Sequence, residues 1–410
     1  MMKHIILLGD GMADYPLDSL GGKTPLEFSH TPNMDRMASE GTLGLIDTIP
    51  AGLPPGSDVA NLAVLGYDPG RYYTGRGPLE AANIGVILEP EDVAFRCNLV
   101  TLGGDNNECL LDFTAGHISS EIAKTIIRDL HDHLGSDIFA FYPGVSYRHL
   151  LVWKNGFSGM ETKPPHDITG REIKGFFPQG EGSLQLKGLM KRAQDFLQDH
   201  PVNKRLINQG KKPANAIWLW GQGRAPQIVP LTIKYNLKGG MISAVDLLNG
   251  IGIYAGLKVI PVEGATGYTD TNYLGKAKNA LAALQELDFI FLHVEAPDEM
   301  GHEGNLKGKI KAIEDFDKKV VGPILAGMPQ FGAFRVMVLS DHPTPVALMT
   351  HGSEPSPFAV YSSQADENIT RGHFFGETAA RKADLLISPG HLLIDHFILD
   401  WRRFVKEKSH

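Results

Sequence analysis

Short runs of consecutive apolar residues alternate with amphipathic stretches in the first part of the chain and again in its second half. Such runs are typical of strands buried on both faces, whereas an apolar period of three to four residues is typical of a helix. Strands and helices that alternate in this way predict an α/β fold with a mostly parallel sheet flanked by helices. The predicted strands are Ile5–Leu8, Gly41–Ile46, Ala216–Leu219, Lys258–Pro261, Phe289–Val294, Arg335–Leu339 and Phe358–Tyr361, and the main predicted helices are Gly240–Ala255, Leu274–Leu287, Ile310–Leu325 and His391–Phe404.

The pattern changes from about Glu89 onward. Pairs of strands there alternate with single helices, in the order β-β-α-β-β-α, which is typical of a small α+β domain. We therefore predict a discontinuous main domain of residues 1–91 and 214–410, interrupted by an inserted domain of residues 92–213. The predicted elements of the insertion are the strands Val93–Leu102, Glu108–Phe113, Ile138–Tyr142 and Tyr147–Trp153, the helix Ser120–Leu134 and a helix that ends near Leu197.

The composition limits the kinds of molecule that this chain is expected to bind. The chain has 410 residues, a net charge of −8 and 42% hydrophobic residues, an ordinary globular balance. An acidic chain is a poor match for nucleic acid or an anionic membrane, so we expect neither as the main partner. Cys97 and Cys109 form no disulfide framework, the first apolar stretch is too short for a signal peptide, and no apolar run has the length of a membrane span. These features predict a cytoplasmic protein with a small-molecule partner.

Three of the predicted strands run directly into acidic residues and histidines. Ligands collect at the carboxyl edge of a parallel sheet, so residues just beyond these strands are expected to meet there. Carboxylates together with neutral imidazoles suit Mn²⁺, Zn²⁺ or Fe²⁺ better than Ca²⁺, which prefers oxygen alone. The set is too large for one tetrahedral ion, which implies two ions. The candidate ligands are Asp10, Asp298, His302, Asp341, His342 and His351.

Ser57 lies where a Pro/Gly loop turns into an apolar, helix-like run. Serine before such a run is a common helix cap, and that is one interpretation of this residue. The other is a nucleophile that carries a phosphoryl group, because a nearby divalent cation lowers the pKa of a serine hydroxyl. The ligand-bearing strand ends favour the second interpretation.

Several motifs resemble those of the cofactor-independent phosphoglycerate mutases of the archaeal type, in the alkaline phosphatase superfamily. The resemblance covers nearly the whole chain and implies an alkaline-phosphatase-like domain interrupted by a second domain. It also implies interconversion of 3- and 2-phosphoglycerate, a step of glycolysis, through a phosphoserine at Ser57 and without 2,3-bisphosphoglycerate. The motifs are Leu8-Gly9-Asp10-Gly11, Thr31-Pro32-Asn33-Met34-Asp35, Gly56-Ser57, Gly75-Arg76-Gly77-Pro78, Trp220-Gly221-Gln222-Gly223-Arg224, His293-Val294-Glu295-Ala296-Pro297-Asp298, Ser340-Asp341-His342 and Thr350-His351-Gly352.

The same resemblance assigns the ligands to two divalent ions, of which Mn²⁺ is the first choice and Zn²⁺, Co²⁺ and Mg²⁺ are alternatives. The first ion would bind Asp298, His302 and His351. The second would bind Asp10, Asp341, His342 and the oxygen of Ser57.

Retention of a dephosphorylated glycerate needs cations away from the metals, because Arg clamps carboxylate and phosphate groups in bidentate fashion. Arg76, Arg148 and Arg224 are the candidates, with ordinary surface ion pairing as the alternative. His117 resembles the inserted domain's histidine in this family and is a candidate acid and base, although it is also compatible with a helix-capping or surface role. Asn33 and Lys276 are further candidates for substrate contact, and Asn33 is equally compatible with support of the first helix.

Other functions on the same core stay open at this point. They are a homoserine kinase-like phosphotransferase, a metal-dependent phosphatase or a phosphopentomutase-like enzyme, and a metal-binding scaffold without catalysis. A mutase must exclude water from its phosphoserine, so we expect the insertion to act as a lid. The predicted hinges lie near Glu89–Asp92 and Pro213–Ala216.

Overall fold

The computed structural model describes residues 2–105, 107–369 and 374–408. Within these ranges the chain divides into two compact units. The first unit comprises the described residues up to Tyr73 together with those from Gln227 onward, and the second is Thr74–Pro226. Each unit is built around a sheet of its own. None of the helices in the described part of the chain combines the length and the apolar character that a membrane span requires.

The strands are β1 Lys3–Gly9, β2 Thr42–Ile46, β3 Val93–Gly103, β4 Cys109–Asp112, β5 Phe139–Val145, β6 Arg148–Trp153, β7 Ala216–Gly223, β8 Gly239–Ile242, β9 Lys258–Val259, β10 Phe289–Val294, β11 Phe334–Leu339, β12 Ser356–Ser362 and β13 Leu386–Ile387. The α-helices are α1 Pro25–Phe28, α2 Pro32–Glu40, α3 Ser57–Val64, α4 Pro69–Tyr72, α5 Arg76–Asn83, α6 Ser120–Leu134, α7 Ser183–Gln198, α8 Pro201–Asn208, α9 Leu231–Lys234, α10 Asp246–Tyr254, α11 Tyr273–Ala283, α12 Ala296–His302, α13 Leu306–Phe316, α14 Gly322–Gly327, α15 Glu377–Lys382, α16 Leu393–Asp395 and α17 Trp401–Lys408. Short 3-10 helices span Asp18–Leu20, Pro165–Ile168, Met328–Phe331, Ala365–Glu367 and Gly390–Leu392, and π-helical turns span Asp317–Val321 and His396–Asp400.

The first unit contains an eight-stranded sheet in the order β13-β2-β12-β11-β1-β10-β8-β9. All pairs are parallel except those that β12 makes with β11 and β2. Every residue of β10 and β11 is buried, which accounts for the continuous apolar runs seen in the sequence. The prediction of a mostly parallel sheet in an α/β fold is confirmed.

One predicted helix of the first unit is partly wrong. The segment Gly240–Ala255 was expected to be helical throughout, but its first residues belong to β8, which pairs in parallel with β10. Helix α10 begins only at Asp246. The two glycines of β8 leave room for Leu257 and Ile260, whose side chains approach within 3 Å of where a Cβ would stand. The apolar period of the helix therefore masked a short strand that starts with two glycines.

The second unit contains an antiparallel five-stranded sheet. Its longest strand, β3, pairs with β6, with β7 and, at its end, with β4, while β5 completes the sheet beside β6. Helices α6 and α7 contribute their apolar faces to a core that includes Phe95, Leu130, Leu189 and Trp218. The α+β character expected for the insertion is present in this unit.

The bounds of the second unit are wider than the predicted insertion of residues 92–213. Strand β7, which was expected to belong to the main sheet, instead pairs with β3 from Ala94 to Val100. Helix α5 precedes the predicted start and packs on β3 and β7. The predicted hinges at Glu89–Asp92 and Pro213–Ala216 therefore lie inside this unit rather than at its ends. Local periodicity could not show which sheet β7 joins.

Candidate metal centre

The central strands of the first unit end side by side. β1 lies between β10 and β11 and runs parallel to both, so the three carboxyl ends meet at one edge of the sheet. Asp10 directly follows β1, and Asp341 with His342 follows β11. Helix α12 starts just after β10 and carries Asp298 in its first turn. The predicted ligands on these segments therefore come from adjacent strand ends.

Asp298, His302 and His351 form the first cluster. Helix α12 places the first two of these residues one turn apart, and His302 Nε2 lies 3.2 Å from Asp298 Oδ2. His351 lies on the loop between β11 and β12, and its Nε2 is 2.9 Å from His302 Nε2. The same nitrogen is 3.6 Å from Asp298 Oδ1. Two imidazole nitrogens and one carboxylate thus converge on one point.

The ionisable groups of this cluster stabilise one another's charged forms. Burial alone would raise the pKa of Asp298, but hydrogen bonds from His302 and His351 outweigh it and hold that pKa well below its usual range. The hydrogen bond to Asp298 in turn raises the pKa of His302 to about 9. A metal ion requires neutral imidazole, so a bound cation would take the place of the protons that otherwise balance this carboxylate.

Asp10, Asp341 and His342 form the second cluster, and all three side chains are fully buried. His342 Nε2 lies 3.4 Å from Asp10 Oδ1 and 3.6 Å from Asp341 Oδ2. Burial and then the charge of Asp341 raise the pKa of Asp10 well above its usual value. A divalent cation between the two carboxylates would offset both their mutual repulsion and the cost of their burial.

Ser57 is the first residue of α3, and its hydroxyl faces the second cluster. Its Oγ lies 3.3 Å from His342 Nε2 and 3.5 Å from Asp10 Oδ1. The N-cap position of this helix belongs to Gly56, so the side chain of Ser57 does not act as the cap. The hydroxyl is therefore directed at the second cluster instead of at the backbone of its own helix.

The donor set fits metal binding. The ligand atoms of Asp10, Asp341 and His342 lie within 4.8 Å of one another, and so do those of Asp298, His342 and His351. His342 thus belongs to the surroundings of both clusters. A mixture of carboxylate oxygen and imidazole nitrogen is the donor set that divalent transition ions favour.

Two residues that sequence reasoning did not single out support Asp10. The Nε2 of His293 lies 2.8 Å from Asp10 Oδ2 and 3.3 Å from Glu295 Oε2. His293 Nδ1 is 3.2 Å from the hydroxyl of Ser243, which fixes the ring. Burial, followed by the charge of Asp298, raises the pKa of Glu295 to about 8. Polar residues at the end of an otherwise apolar strand were the available signal, because His293 is the penultimate residue of β10 and Glu295 follows its last residue.

Another missed residue, Asn61, joins α3 to the second cluster. It lies one turn after Ser57, and its Nδ2 donates to the Ser57 carbonyl at 2.8 Å and to Asp341 Oδ2 at 2.9 Å. The side chain of Asn61 is buried. An asparagine on the apolar face of a short helix was the signal for it in the sequence.

Two predicted substrate contacts have other partners within the first unit. Lys276 is fully buried, and its Nζ donates to the carbonyl of His293 at 2.9 Å. Burial lowers the pKa of Lys276 to about 8. The side-chain amide of Asn33 donates to Asp317 Oδ2 at 2.8 Å, and the same carboxylate accepts the Met34 amide at 2.7 Å. These contacts favour support of α2 as the role of Asn33.

The second unit gathers three arginines. Arg96, which was not predicted, is partly buried and pairs with Glu80 at 3.0 Å, while its guanidinium stacks 4.2 Å from the ring centroid of Trp220. Burial, together with the charges of Arg76 and Arg148, lowers the pKa of Arg96. Three guanidinium groups close enough to influence one another make a local anion-attracting surface on an otherwise acidic chain.

Arg224 and His117 also lie in the second unit. Arg224 Nη2 is 3.0 Å from Glu91 Oε2 and donates to the carbonyl of Gly156 at 3.2 Å, so the interpretation as a surface ion pair describes it well. His117 is exposed, and its backbone has a φ of 51°, in the left-handed region that a non-glycine residue seldom adopts. Its amide donates to the hydroxyl of Thr114 at 3.0 Å, which holds the turn in this conformation.

The chain is similar to proteins of one family. The family described as 2,3-bisphosphoglycerate-independent phosphoglycerate mutase matches residues 38–203. A protein of Geobacter sulfurreducens, described as a probable 2,3-bisphosphoglycerate-independent phosphoglycerate mutase, is 53% identical over 395 residues, which cover 96% of this chain and 99% of that protein.

Two solved structures share the fold over nearly the full length of the chain. A protein from Pyrococcus horikoshii superposes with a TM-score of 0.82 at 31% identity, covering 98% of this chain and 97% of that one. A cofactor-independent phosphoglycerate mutase from Thermoplasma acidophilum superposes with a TM-score of 0.64 at 26% identity, covering 96% of this chain and 98% of that one. The similarity therefore extends across both units and their connections in sequence.

Proposed function

The chain belongs to the 2,3-bisphosphoglycerate-independent phosphoglycerate mutases, and on that premise we propose how its residues interconvert 3- and 2-phosphoglycerate. The observation that carries the proposal is the position of Ser57. Its Oγ lies within 3.5 Å of both Asp10 and His342, at the sheet edge that also holds the first cluster. A serine hydroxyl directed at buried carboxylates and an imidazole is the arrangement that a metal-assisted nucleophile requires.

We propose two divalent ions, one for each cluster. Asp298, His302 and His351 would hold the first. Asp10, Asp341, His342 and the Ser57 oxygen would hold the second. Mn²⁺ is our first choice, since mixed oxygen and nitrogen donors suit it, and Zn²⁺, Co²⁺ or Mg²⁺ are alternatives. When bound, the ions supply Lewis acidity, which lowers the pKa of the serine hydroxyl and neutralises the charge of phosphoryl oxygens.

Ser57 is the proposed carrier of the phosphoryl group. Its Oγ forms a bond to phosphorus as the bond between phosphorus and the 3-oxygen of the substrate breaks, which leaves phosphoserine and glycerate. The proton that the serine loses is balanced by the proton that the glycerate oxygen gains. Ser57 lies at the amino end of α3, where the positive end of the helix dipole favours the negative charge of phosphoryl oxygens.

The return step uses the other hydroxyl of the same glycerate. Its 2-oxygen forms a bond to phosphorus as the bond to Ser57 Oγ breaks, and the serine regains a proton. We propose His117 as the acid and base that delivers and removes the protons of the glycerate hydroxyls, because imidazole exchanges protons near neutral pH. No water and no 2,3-bisphosphoglycerate takes part in this sequence.

Retention of the glycerate is the task we assign to the arginines of the second unit. Arg76 and Arg148 carry charge next to the partly buried guanidinium of Arg96. A glycerate carboxylate is a bidentate acceptor and matches such a surface in both charge and shape. We further propose that the second unit acts as the lid over the first, and that the protein works in the cytoplasm on this small phosphorylated substrate.

The test is a turnover assay with a matched variant. The purified chain is incubated with Mn²⁺ and 3-phosphoglycerate, and 2-phosphoglycerate is detected by coupling to enolase. We expect Ser57→Ala to lose turnover by at least about a thousandfold, since the nucleophile is gone, while Mn²⁺ binding persists. Ser183 is also the first residue of a helix, α7, so Ser183→Ala is the control and should keep full turnover.

The outcomes against the proposal are distinct. Normal turnover by Ser57→Ala would overturn the phosphoserine mechanism. Release of phosphate without isomerised product would indicate a phosphatase. A flat mutase assay together with formation of ADP from ATP and homoserine would indicate a kinase.

A further inference from the structure

Thr344 contacts one residue from each cluster. It lies two positions after His342 and is fully buried. Its hydroxyl donates to Asp298 Oδ1 of the first cluster, and its Oγ1 lies 3.2 Å from His342 Nδ1 of the second. Since Asp298 and His342 are proposed to hold different ions, this single hydroxyl contacts a ligand of each ion.

The hydrogen-bonding capacity of the groups fixes the protons along this connection. An ionised carboxylate can only accept, so the one hydroxyl proton of Thr344 goes to Asp298. Oγ1 must then accept from His342, which places a proton on Nδ1 of that ring. The other ring nitrogen of His342, Nε2, is left with its lone pair and faces Ser57 Oγ at 3.3 Å and Asp10 Oδ1 at 3.4 Å. An imidazole binds a metal through such an unprotonated nitrogen.

The hydroxyl also distinguishes the two oxygens of Asp298. Oδ1 accepts from Thr344, while Oδ2 lies 3.2 Å from His302 Nε2. The carboxylate therefore cannot rotate without losing one partner. The orientation of the Asp298 carboxylate in the first cluster is therefore set by Thr344, which lies on the same segment as the second-cluster ligands Asp341 and His342.

The backbone around Thr344 is held as tightly as its side chain. Its carbonyl accepts Lys309 Nζ at 2.8 Å, and its amide donates to the carbonyl of Ala13 at 3.1 Å. A Cβ on Gly301 would stand 2.4 Å from the Thr344 carbonyl, and one on Gly11 would stand 2.5 Å from Oγ1. Only glycine fits at these two positions, because Thr344 occupies the space that a Cβ would need.

We propose that Thr344 is a positioning residue that couples the two ion sites. It keeps the Nδ1–H tautomer of His342, so that Nε2 is available for the second ion, and it orients Asp298 for the first. The proposal rests on the ligand sets given under the proposed function. A residue that orients a metal ligand through a hydrogen bond typically contributes about 10- to 100-fold to metal affinity.

The experiment compares three variants by isothermal titration of the metal-free protein with Mn²⁺. Thr344→Val keeps the shape and removes the hydroxyl, and we expect its affinity to fall about 10- to 100-fold, with both binding steps affected. Thr344→Ser restores the hydroxyl and should stay within about threefold of the starting protein. Thr101 is the matched control: it is buried in the second unit, and its hydroxyl donates to the Pro213 carbonyl at 2.7 Å. Thr101→Val should lose stability without any change in Mn²⁺ affinity.

A second measurement does not depend on how the Thr344 variants fold. The ¹⁵N imidazole spectrum of the metal-free protein, with the His342 signals identified by their loss in His342→Gln, should show the Nδ1–H tautomer. An Nε2–H tautomer there would overturn the proposal, and so would equal Mn²⁺ affinities for Thr344→Val and Thr344→Ser. If the starting protein binds no Mn²⁺, the metal centre given under the proposed function is itself wrong.

Discussion

Loss of Lys309 is expected to destabilise the first unit strongly. This residue lies in α13, is fully buried, and directs all three of its ammonium protons at acceptors. Nζ is 2.7 Å from Asp14 Oδ2, 3.1 Å from the Ala13 carbonyl and 2.8 Å from the Thr344 carbonyl. One cation thus joins the loop after β1 to the loop after β11, and these two loops carry the second cluster.

The expected cost of Lys309→Met follows from these contacts. Removing one partner of a buried ion pair costs about 3–5 kcal/mol, because the remaining charge stays buried and uncompensated. The two carbonyls left without a donor each add up to about 1–3 kcal/mol, part of which local relaxation recovers. We therefore expect the metal-free protein to lose at least about 3–5 kcal/mol, a large share of the about 5–15 kcal/mol typical of a folded domain.

The assay must resolve one unit from the other, since two units need not unfold together. Hydrogen exchange followed by mass spectrometry on peptides from β1, β10 and β11 gives the free energy of opening for the first unit alone. Lys3→Met is the control, because Lys3 binds Asp288 at 3.2 Å near the opposite end of β1, where both side chains keep contact with solvent. We expect about 1 kcal/mol or less for that change.

The result that refutes this reasoning is a close match between the two variants. If Lys309→Met opens within about 1 kcal/mol of Lys3→Met, the buried cation does not hold the loops together. The double variant Lys309→Met with Asp14→Asn offers a further check. It should lose less than the sum of the single changes, by about 0.5–3 kcal/mol, because the two residues share one contact.

Two other predictions concern pH and metal. His149 is buried on β6, and burial lowers its pKa from 6.5 to about 3. Between these values the unfolded chain binds a proton that the folded chain does not, so the unfolding free energy of the second unit should fall by up to about 1.4 kcal/mol for each pH unit of acidification. Hydrogen exchange across this range should show a flatter slope for His149→Gln, and equal slopes would contradict the assignment. Chelation with EDTA should lower the melting temperature, and Mn²⁺ at a hundredfold excess over its Kd should restore about 2.7 kcal/mol per site, whereas indifference to both treatments would exclude a resident metal.

The parts of the fold that the sequence predicted well are those where local pattern and chemistry coincide. Strand β10 matches the predicted range Phe289–Val294, because a strand buried on both faces is apolar at nearly every position, here at all but His293. The residues after this strand also indicated a metal site, since Asp298 and His302 follow at a helical spacing. Parallel strands then bring such ends together without any further information, which is why the candidate ligands were visible before the fold.

The remaining features of the fold and of the site depend on contacts between residues far apart in the sequence, which the local pattern does not encode. The strand character of β7 was predicted, but its partner β3 is chosen by the side chains of a sheet that lies elsewhere in the sequence. Arg96 looks like an ordinary residue in a strand until its contacts with Glu80 and Trp220 are known. Thr344 likewise gains its role from Asp298, which is 46 residues away along the chain.

The central position of β1 has a consequence for how the protein is made. Both strands that flank it, β10 and β11, are synthesised long after it, while the contiguous segment Thr74–Pro226 can complete its own sheet in between. An apolar strand at the start of the chain must therefore wait unpaired through most of translation, when its exposed edges are open to association with other chains. The second cluster stays incomplete until Asp341 and His342 have been synthesised. High affinity for a divalent ion would then be a property of finished molecules, and metal capture would mark the end of folding.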